Sequence, residues 1–302
     1  MQNDVTVSSD KVETPRKKHS LMHDVWRRYS KSPTAMMGLV IIIAMILLAL
    51  FADVIAPGNG KFPGYDLQDL GSRFLHPSAD HIMGTDQYGR EVFDRVVHGS
   101  RISLLVGFIA VSLSMVLGVI LGAIAGFYGK VAENIIMRAV DIMLAIPAIL
   151  LAISIAAALT PGLPSVVVAV GIGAVPAYAR IMCASVLTVR EQEYIEAAYS
   201  TGASNFRIIR KHILPNCMAP IIVQATIGMG YAILWAAALS FIGLGVQPPT
   251  PEWGAMLSEG RMYIREHWHM VLFPGLSIAV VIFALNMMGD GLRDAFDPRL
   301  KK

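Results

Sequence analysis

Long apolar runs alternate with polar connections along this chain, and six of the runs can cross about 30 Å of hydrocarbon. They fall at 36–55, 104–127, 139–159, 165–188, 218–243 and 270–289. The pattern predicts an all-α integral membrane protein with six transmembrane helices. Pro147 and Pro176 lie inside the third and fourth runs. Such prolines kink a helix and are tolerated where neighbours satisfy the freed carbonyl. In the second run Gly107 precedes the series Gly118, Gly122 and Gly126, whose four-residue spacing predicts close contact with another helix.

The polar segments carry their own patterns. Residues 1–33 form a basic N-terminal segment whose first dozen residues read as disordered, with Leu21–Tyr29 as a short interfacial helix. The membrane-spanning remainder is expected over 34–302, with a core at about 101–290. Within the polar region 57–102, the stretch Gly84–Ser103 reads as ordered. Asp86 is the expected helix cap there, and Val92, Phe93, Val96 and Val97 make a narrow apolar face. Residues 191–216 predict two short helices: Tyr194, Ile195, Ala198 and Tyr199 share one stripe, and Phe206, Ile209 and Ile213 another. Gly202 supplies the turn between them, Ser204 is the expected cap of the second, and Pro215 its expected stop. A helix pair too polar for lipid suits a partner's surface, or equally a solvated loop resting on the membrane; the residues alone leave both open.

Composition removes the soluble class. Of 302 residues 55% are hydrophobic and 16% charged, and the mean hydropathy is +0.56. The net charge of +3 says little, but its distribution says more: 18 of the 25 Lys and Arg residues fall on the side shared by both termini. The positive-inside bias then puts both termini and the 191–216 loop in the cytoplasm. No cleaved signal peptide is evident. Cys183 and Cys217 lie in or beside apolar runs and imply no disulfide.

Catalytic patterns are missing. No phosphate-cradling Gly-x-x-x-x-Gly-Lys-Ser/Thr occurs, nor His-Glu-x-x-His, nor Gly-x-Ser-x-Gly. His267 and His269 flank Trp268 and read as an interfacial aromatic cluster rather than metal ligands. Asp141 is expected to pair with Arg138 one turn away, and Arg180 to snorkel to the headgroups. The lack of paired buried acids argues against an ion-driven pump.

Glu196-Ala197-Ala198-x-x-x-Gly202, followed by Ile213-Leu214-Pro215, resembles the cytoplasmic "EAA" loop of bacterial ABC-importer permeases, with His212 where Ile is usual. Gly84-Thr85-Asp86-x-x-Gly89-Arg90 resembles the dipeptide/oligopeptide/nickel branch, with Glu91 and Asp94 where Asp and Ser are common. The runs Ser240–Gly254 and Gly289–Pro298 are similar to the same branch, nearest its C-type dipeptide permease subunits. The resemblance implies the type I ABC-importer permease fold in the cell inner membrane, and ATP-driven uptake of dipeptides or oligopeptides. Nickel and glutathione are the alternative substrates, and a self-sufficient secondary transporter is the alternative class. It implies a homologous B-type permease, two ABC ATPase subunits and a periplasmic or lipid-anchored solute-binding protein as partners, beside membrane lipids. No cofactor on this chain and no nucleic acid is implied; ATP and Mg would be used by the ATPase subunits. Glu196, Ala197, Ala198, Gly202, Phe206, Ile209, Ile213 and Pro215 would couple to an ATPase. Gln247, Pro248, Pro249 and Trp253, in a loop stiffened by prolines, would lie at the external gate or against the binding protein.

Overall fold

The computed structural model describes residues 21–297; the expected disorder of the first dozen residues lies outside them. Among the described residues the chain is helical, without a strand, and five helices are long and apolar enough to cross a membrane, or six if one bent pair counts as a span. Helix α1 (Leu21–Tyr29) precedes α2 (Pro33–Leu50) and the single turn α3 (Ala52–Ile55). The long α4 (Val92–Tyr128) follows the polar region, then α5 (Lys130–Ala145), α6 (Ala148–Ala157) and α7 (Leu163–Arg190). Next come α8 (Glu193–Ser200), α9 (Asn205–Ile208), α10 (Leu214–Phe241), α11 (Trp253–Gly260) and α12 (His269–Phe296).

Local chemistry sets several boundaries. Pro33 opens α2 where its missing N–H costs nothing, and the Ser32 hydroxyl accepts from the Ala35 amide at 3.4 Å. The second apolar run starts earlier than its hydropathy suggests, because Val92–Ser103 continues into it as one 37-residue helix. Asp86 does not cap that helix. Glu91 holds the cap position without a side-chain bond, and Asp86 lies in the turn before it. The third run is not one helix: α5 and α6 meet at 90° around Ile146 and Pro147. Pro176, Pro220 and Pro274 are accommodated inside α7, α10 and α12.

The bundle is organised around α4 and α7. A Cβ added at Gly122 would lie 2.7 Å from Met182 Cβ, and one added at Gly126 2.8 Å from Val186 Cβ. The four-residue glycine series thus lets the two backbones meet, as its spacing predicts. Val106, Ala110, Val170, Tyr178, Met182, Val186 and Ile221 fill the main core between α4, α7 and α10. A second core joins α2, α11 and α12 to the first half of α4 through Ile42, Val92, Val96, Trp253, Ile278 and Leu285. Arg180 does not stand alone and Asp141 does not turn to Arg138: the two pair with each other across α7 and α5.

One end of the bundle carries both described termini, α8, α9 and the junction of α4 with α5. There Arg28 reaches the Asp297 carbonyl and Arg190 the Gly126 carbonyl. The opposite end carries residues 51–91 and 242–268.

Candidate functional site

At the terminal end, α8 and α9 make a short, steep excursion between two of the longest helices. Helix α8 closes with a Schellman arrangement: the Gly202 amide donates to Tyr199 O at 2.9 Å and the Ala203 amide to Ala198 O at 3.1 Å. Gly202 has φ +78° with open space around it, so backbone conformation rather than crowding requires glycine there. Ser204 occupies the cap position of α9, yet its side chain makes no capping bond.

Pro215 does not stop the helix. Ile209–Ile213 forms a π-helical turn that runs straight into α10, with the Leu214 amide bonded to Ile209 O, so 205–241 forms one 37-residue span. Widening the turn just before the proline absorbs the missing N–H and the ring's steric demand, where a regular turn would kink or break. The same turn divides the stripe expected from Phe206, Ile209 and Ile213. Ile213 is buried, Ile209 half-buried, and Phe206 is 71% exposed. The inward anchors are Ile195, Ile208 and Ile213, all joined to the main core. Outward lie Tyr194, Glu196, Ala197, Tyr199, Gly202, Phe206 and Pro215, with Ala198 half-buried. Tyr199 also stacks on Phe127 at the end of α4, with ring centroids 6.4 Å apart. Arg190, at the root of the pair, donates to Gly126 O at 2.8 Å. The result is an apolar-aromatic patch bordered by Glu196 and by Arg207, Arg210 and Lys211, fixed at its base to α4, α7 and α10.

The opposite end is built differently. Arg90 and Arg95 are 2% and 1% exposed. Arg90 Nε donates to Asp86 at 2.6 Å and Arg95 NH1 to the same carboxylate at 2.9 Å, while both arginines reach Glu259 of α11 at 3.0 Å. Asp86 Oδ1 also accepts the Tyr88 and Arg90 amides. Beside this network Glu252 caps α11 by accepting the Gly254 and Ala255 amides, both at 2.9 Å, and receives the Ser103 hydroxyl. The Trp253 indole donates to Val96 O at 3.1 Å.

This geometry separates the four residues expected at an external gate. Gln247, Pro248 and Pro249 are exposed, whereas Trp253 is wholly buried and presents no contact surface. It packs on α4, apart from the other three. The interfacial cluster around His267 and His269 is present: Phe74 stacks on His267, His76 lies against both histidines, and His269 Nε2 bonds Thr85 O at 3.0 Å. No metal-holding group of side chains occurs among the described residues. Sequence patterns passed over Arg95, Glu252 and Glu259. The available signal was a lone arginine inside the apolar face Val92–Val97, a position that demands a buried counter-charge.

Comparison with known proteins bears on both ends. Residues 118–302 match the family described as binding-protein-dependent transport system inner membrane component, and residues 20–77 match the N-terminal TM domain of oligopeptide transport permease C. The dipeptide transport system permease protein DppC of Alkalihalophilus pseudofirmus is 48% identical over 92% of this chain and 90% of its own. The di/tripeptide transport system permease protein DppC of Pseudomonas aeruginosa is 45% identical over 93% of each. The glutathione transport system permease protein GsiD of Escherichia coli is 42% identical over 98% of this chain and 94% of its own. Among solved structures, an inward-facing form of the MetNI methionine ABC transporter superposes with a TM-score of 0.54 at 21% identity, covering 67% of this chain and 96% of that one. That likeness concerns the fold, the type I ABC permease fold that the sequence motifs imply.

Proposed function

We propose, from the premise that this chain belongs to the family of binding-protein-dependent transport system inner membrane components, that it takes up dipeptides and short oligopeptides as one permease of an ATP-driven importer. The chain is a multi-pass inner membrane protein. On this reading both termini and the α8–α9 pair face the cytoplasm, in keeping with the bias of Lys and Arg. A homologous B-type permease completes the pathway, a solute-binding protein delivers the peptide outside, and two ATPase subunits supply the energy of ATP with Mg²⁺.

One observation carries the coupling role: Phe206 and Ala197 lie exposed on a rigid helix pair whose Ile195, Ile208 and Ile213 are locked into the core of the spans. An exposed aromatic patch with a charged border on an anchored base fits an apolar pocket of a partner. Ala197 keeps the approach close, and Glu196 faces a basic group of the ATPase. When that pocket moves, the pair moves as a unit. Its displacement passes directly into α10 through the unbroken π turn, and into α7 along the chain at Arg190, whose side chain ties that helix end to the Gly126 carbonyl of α4. Rocking of α7 and α10 then opens the pathway alternately to either side.

The test is co-expression with the ATPase subunits and the partner permease, followed by purification and uptake of labelled di- and tripeptides. Phe206→Ala and Glu196→Lys are expected to lower ATPase recovery and uptake together by at least tenfold. Unchanged recovery and uptake in both would overturn the coupling role. Preferential uptake of glutathione or Ni²⁺ over alanyl dipeptides by the unaltered importer would replace the peptide assignment; the 42% identity to a glutathione permease makes glutathione the second reading.

A further inference from the structure

Midway along the bundle lies a cavity of about 250 Å³ that coupling does not use. Tyr178, near the middle of the 28-residue α7, and Tyr231, past the middle of the 28-residue α10, both line it. It therefore sits deep in the membrane. Leu144 and Ala148 line it from either side of the 90° break at Ile146 and Pro147. Interrupted helices at such depth are found where the backbone is buried or borders a polar space, and transported solutes bind at such interruptions.

The wall chemistry is selective. No Asp, Glu, Lys, Arg or His lines the cavity. Tyr231 and Trp235 present rings with centroids 6.4 Å apart. The Trp235 indole N–H, the Gln224 side-chain amide and the Tyr231 hydroxyl form no hydrogen bond with any described residue, although all three residues line this space. The Tyr178 hydroxyl, in contrast, donates to Gln224 O at 3.4 Å. Gln224 also lines a second, more open space of about 400 Å³ bounded by Arg293 and Phe296 at the terminal end. The two spaces follow one another along α10.

We propose that the deeper cavity is a selectivity pocket on the peptide path, taking one uncharged aromatic or branched apolar side chain of the passing peptide. The inference rests on the peptide reading above. Tyr231 and Trp235 hold the side chain, and the free indole and amide groups meet its peptide unit. At about 250 Å³ the space is smaller than the roughly 300–1,000 Å³ of pockets that enclose a whole drug-sized ligand, which suits one residue rather than a whole peptide. A charged side chain would lose its hydration there without gaining a partner.

The complete importer in proteoliposomes decides the matter, with uptake of Ala-Phe, Ala-Ala and Ala-Lys measured in competition. Gly173→Val adds bulk to the pocket wall; its first added carbon meets nothing closer than Ala148 O at 3.5 Å, so the backbone need not shift. The expected result is a tenfold fall in the Ala-Phe to Ala-Ala uptake ratio. Trp235→Phe, which keeps a ring and removes the N–H, is expected to lower the same ratio about threefold, with Ala-Lys to Ala-Ala unmoved in both. These ratios do not depend on how much protein folds. Ratios unchanged in both variants would overturn the pocket and point to a lipid chain or a partner permease filling it. Absence of uptake of all three peptides by the unaltered importer would overturn the peptide reading along with it.

Discussion

The two ends of this bundle solve the problem of polar residues in opposite ways. At the end opposite the termini, Asp86, Arg90, Arg95 and Glu259 pair with one another out of water, with Arg95 held through NH1 while its Nε and NH2 find no partner among the described residues; Glu252 caps its own helix, and Trp253 is folded into α4. At the terminal end the helix pair is held by three isoleucines and one stacked tyrosine, while Phe206 and its neighbours stay open. The first end turns its charges inward, onto one another. The second is a firm base under an open surface, the form that the proposed coupling role requires.

The largest test of that contrast is at Arg95. Removing one member of a buried charge network strands its partners, so Arg95→Ala should destabilise by about 3–5 kcal/mol. Detergent-solubilised protein should show this as a lowered melting temperature. Phe206→Ala should lie within about 0.5 kcal/mol of the parent in the same measurement while losing ATPase association. Equal melting effects at the two positions would erase the distinction between a closed end and an open one.

A smaller effect tests whether the coupling pair is anchored independently of its exposed face. Ile208→Ala empties a fully buried site and should cost about 2–4 kcal/mol. Because the pair touches the core through few residues, faster amide exchange should be concentrated at 193–213. Exchange spread evenly over α4 and α7 would mean that the pair is part of the bundle core rather than an element seated on it.

How much of this was legible beforehand follows the range of the interactions. Spans, the glycine contact of α4 with α7 and the turn at Gly202 are written in spacings of four residues or in a single conformational requirement, and a sequence displays those directly. The buried network joins Arg90 to Glu259 across 169 positions, and Arg180 finds Asp141 across 39. No local pattern ranks such partners, so Asp141 was matched to the nearest cation instead. The coupling stripe misled for another reason. Helical spacing put Phe206 with Ile213, and only the π turn that accommodates Pro215 separates them. Proline read as a stop in water is a widened turn in a membrane helix.

Gly202 is the next step down in size. With φ at +78° and nothing nearby, Gly202→Ala costs only the left-handed conformation, about 1 kcal/mol. A matching drop in uptake, without loss of the ATPase subunits on purification, is the expected outcome, because the angle between α8 and α9 shifts while Phe206 remains available. Loss of the subunits would mean that the angle sets docking itself, and that the open end is more precisely shaped than its few anchors suggest.

The smallest effect belongs to the closed end, at the exposed carboxyl of Asp69. The Ser72 hydroxyl, at 2.6 Å, and the Gly71 amide, at 3.0 Å, hold the Asp69 carboxyl below the ordinary aspartate value of 3.8. A carboxyl with a depressed folded pKa adds stability above its unfolded value, and loses it as pH falls through the folded one. Ser72→Ala removes the larger cause. The variant should therefore melt slightly below the parent at pH 6, with the gap closing as pH falls below about 3.8. Asp69 is fully exposed, so the gap should be small and should shrink further in high salt. A gap as wide as that of Arg95→Ala would show that the turn at 69–72 bears on the buried network. A gap that persists at low pH would trace it to lost packing rather than to charge.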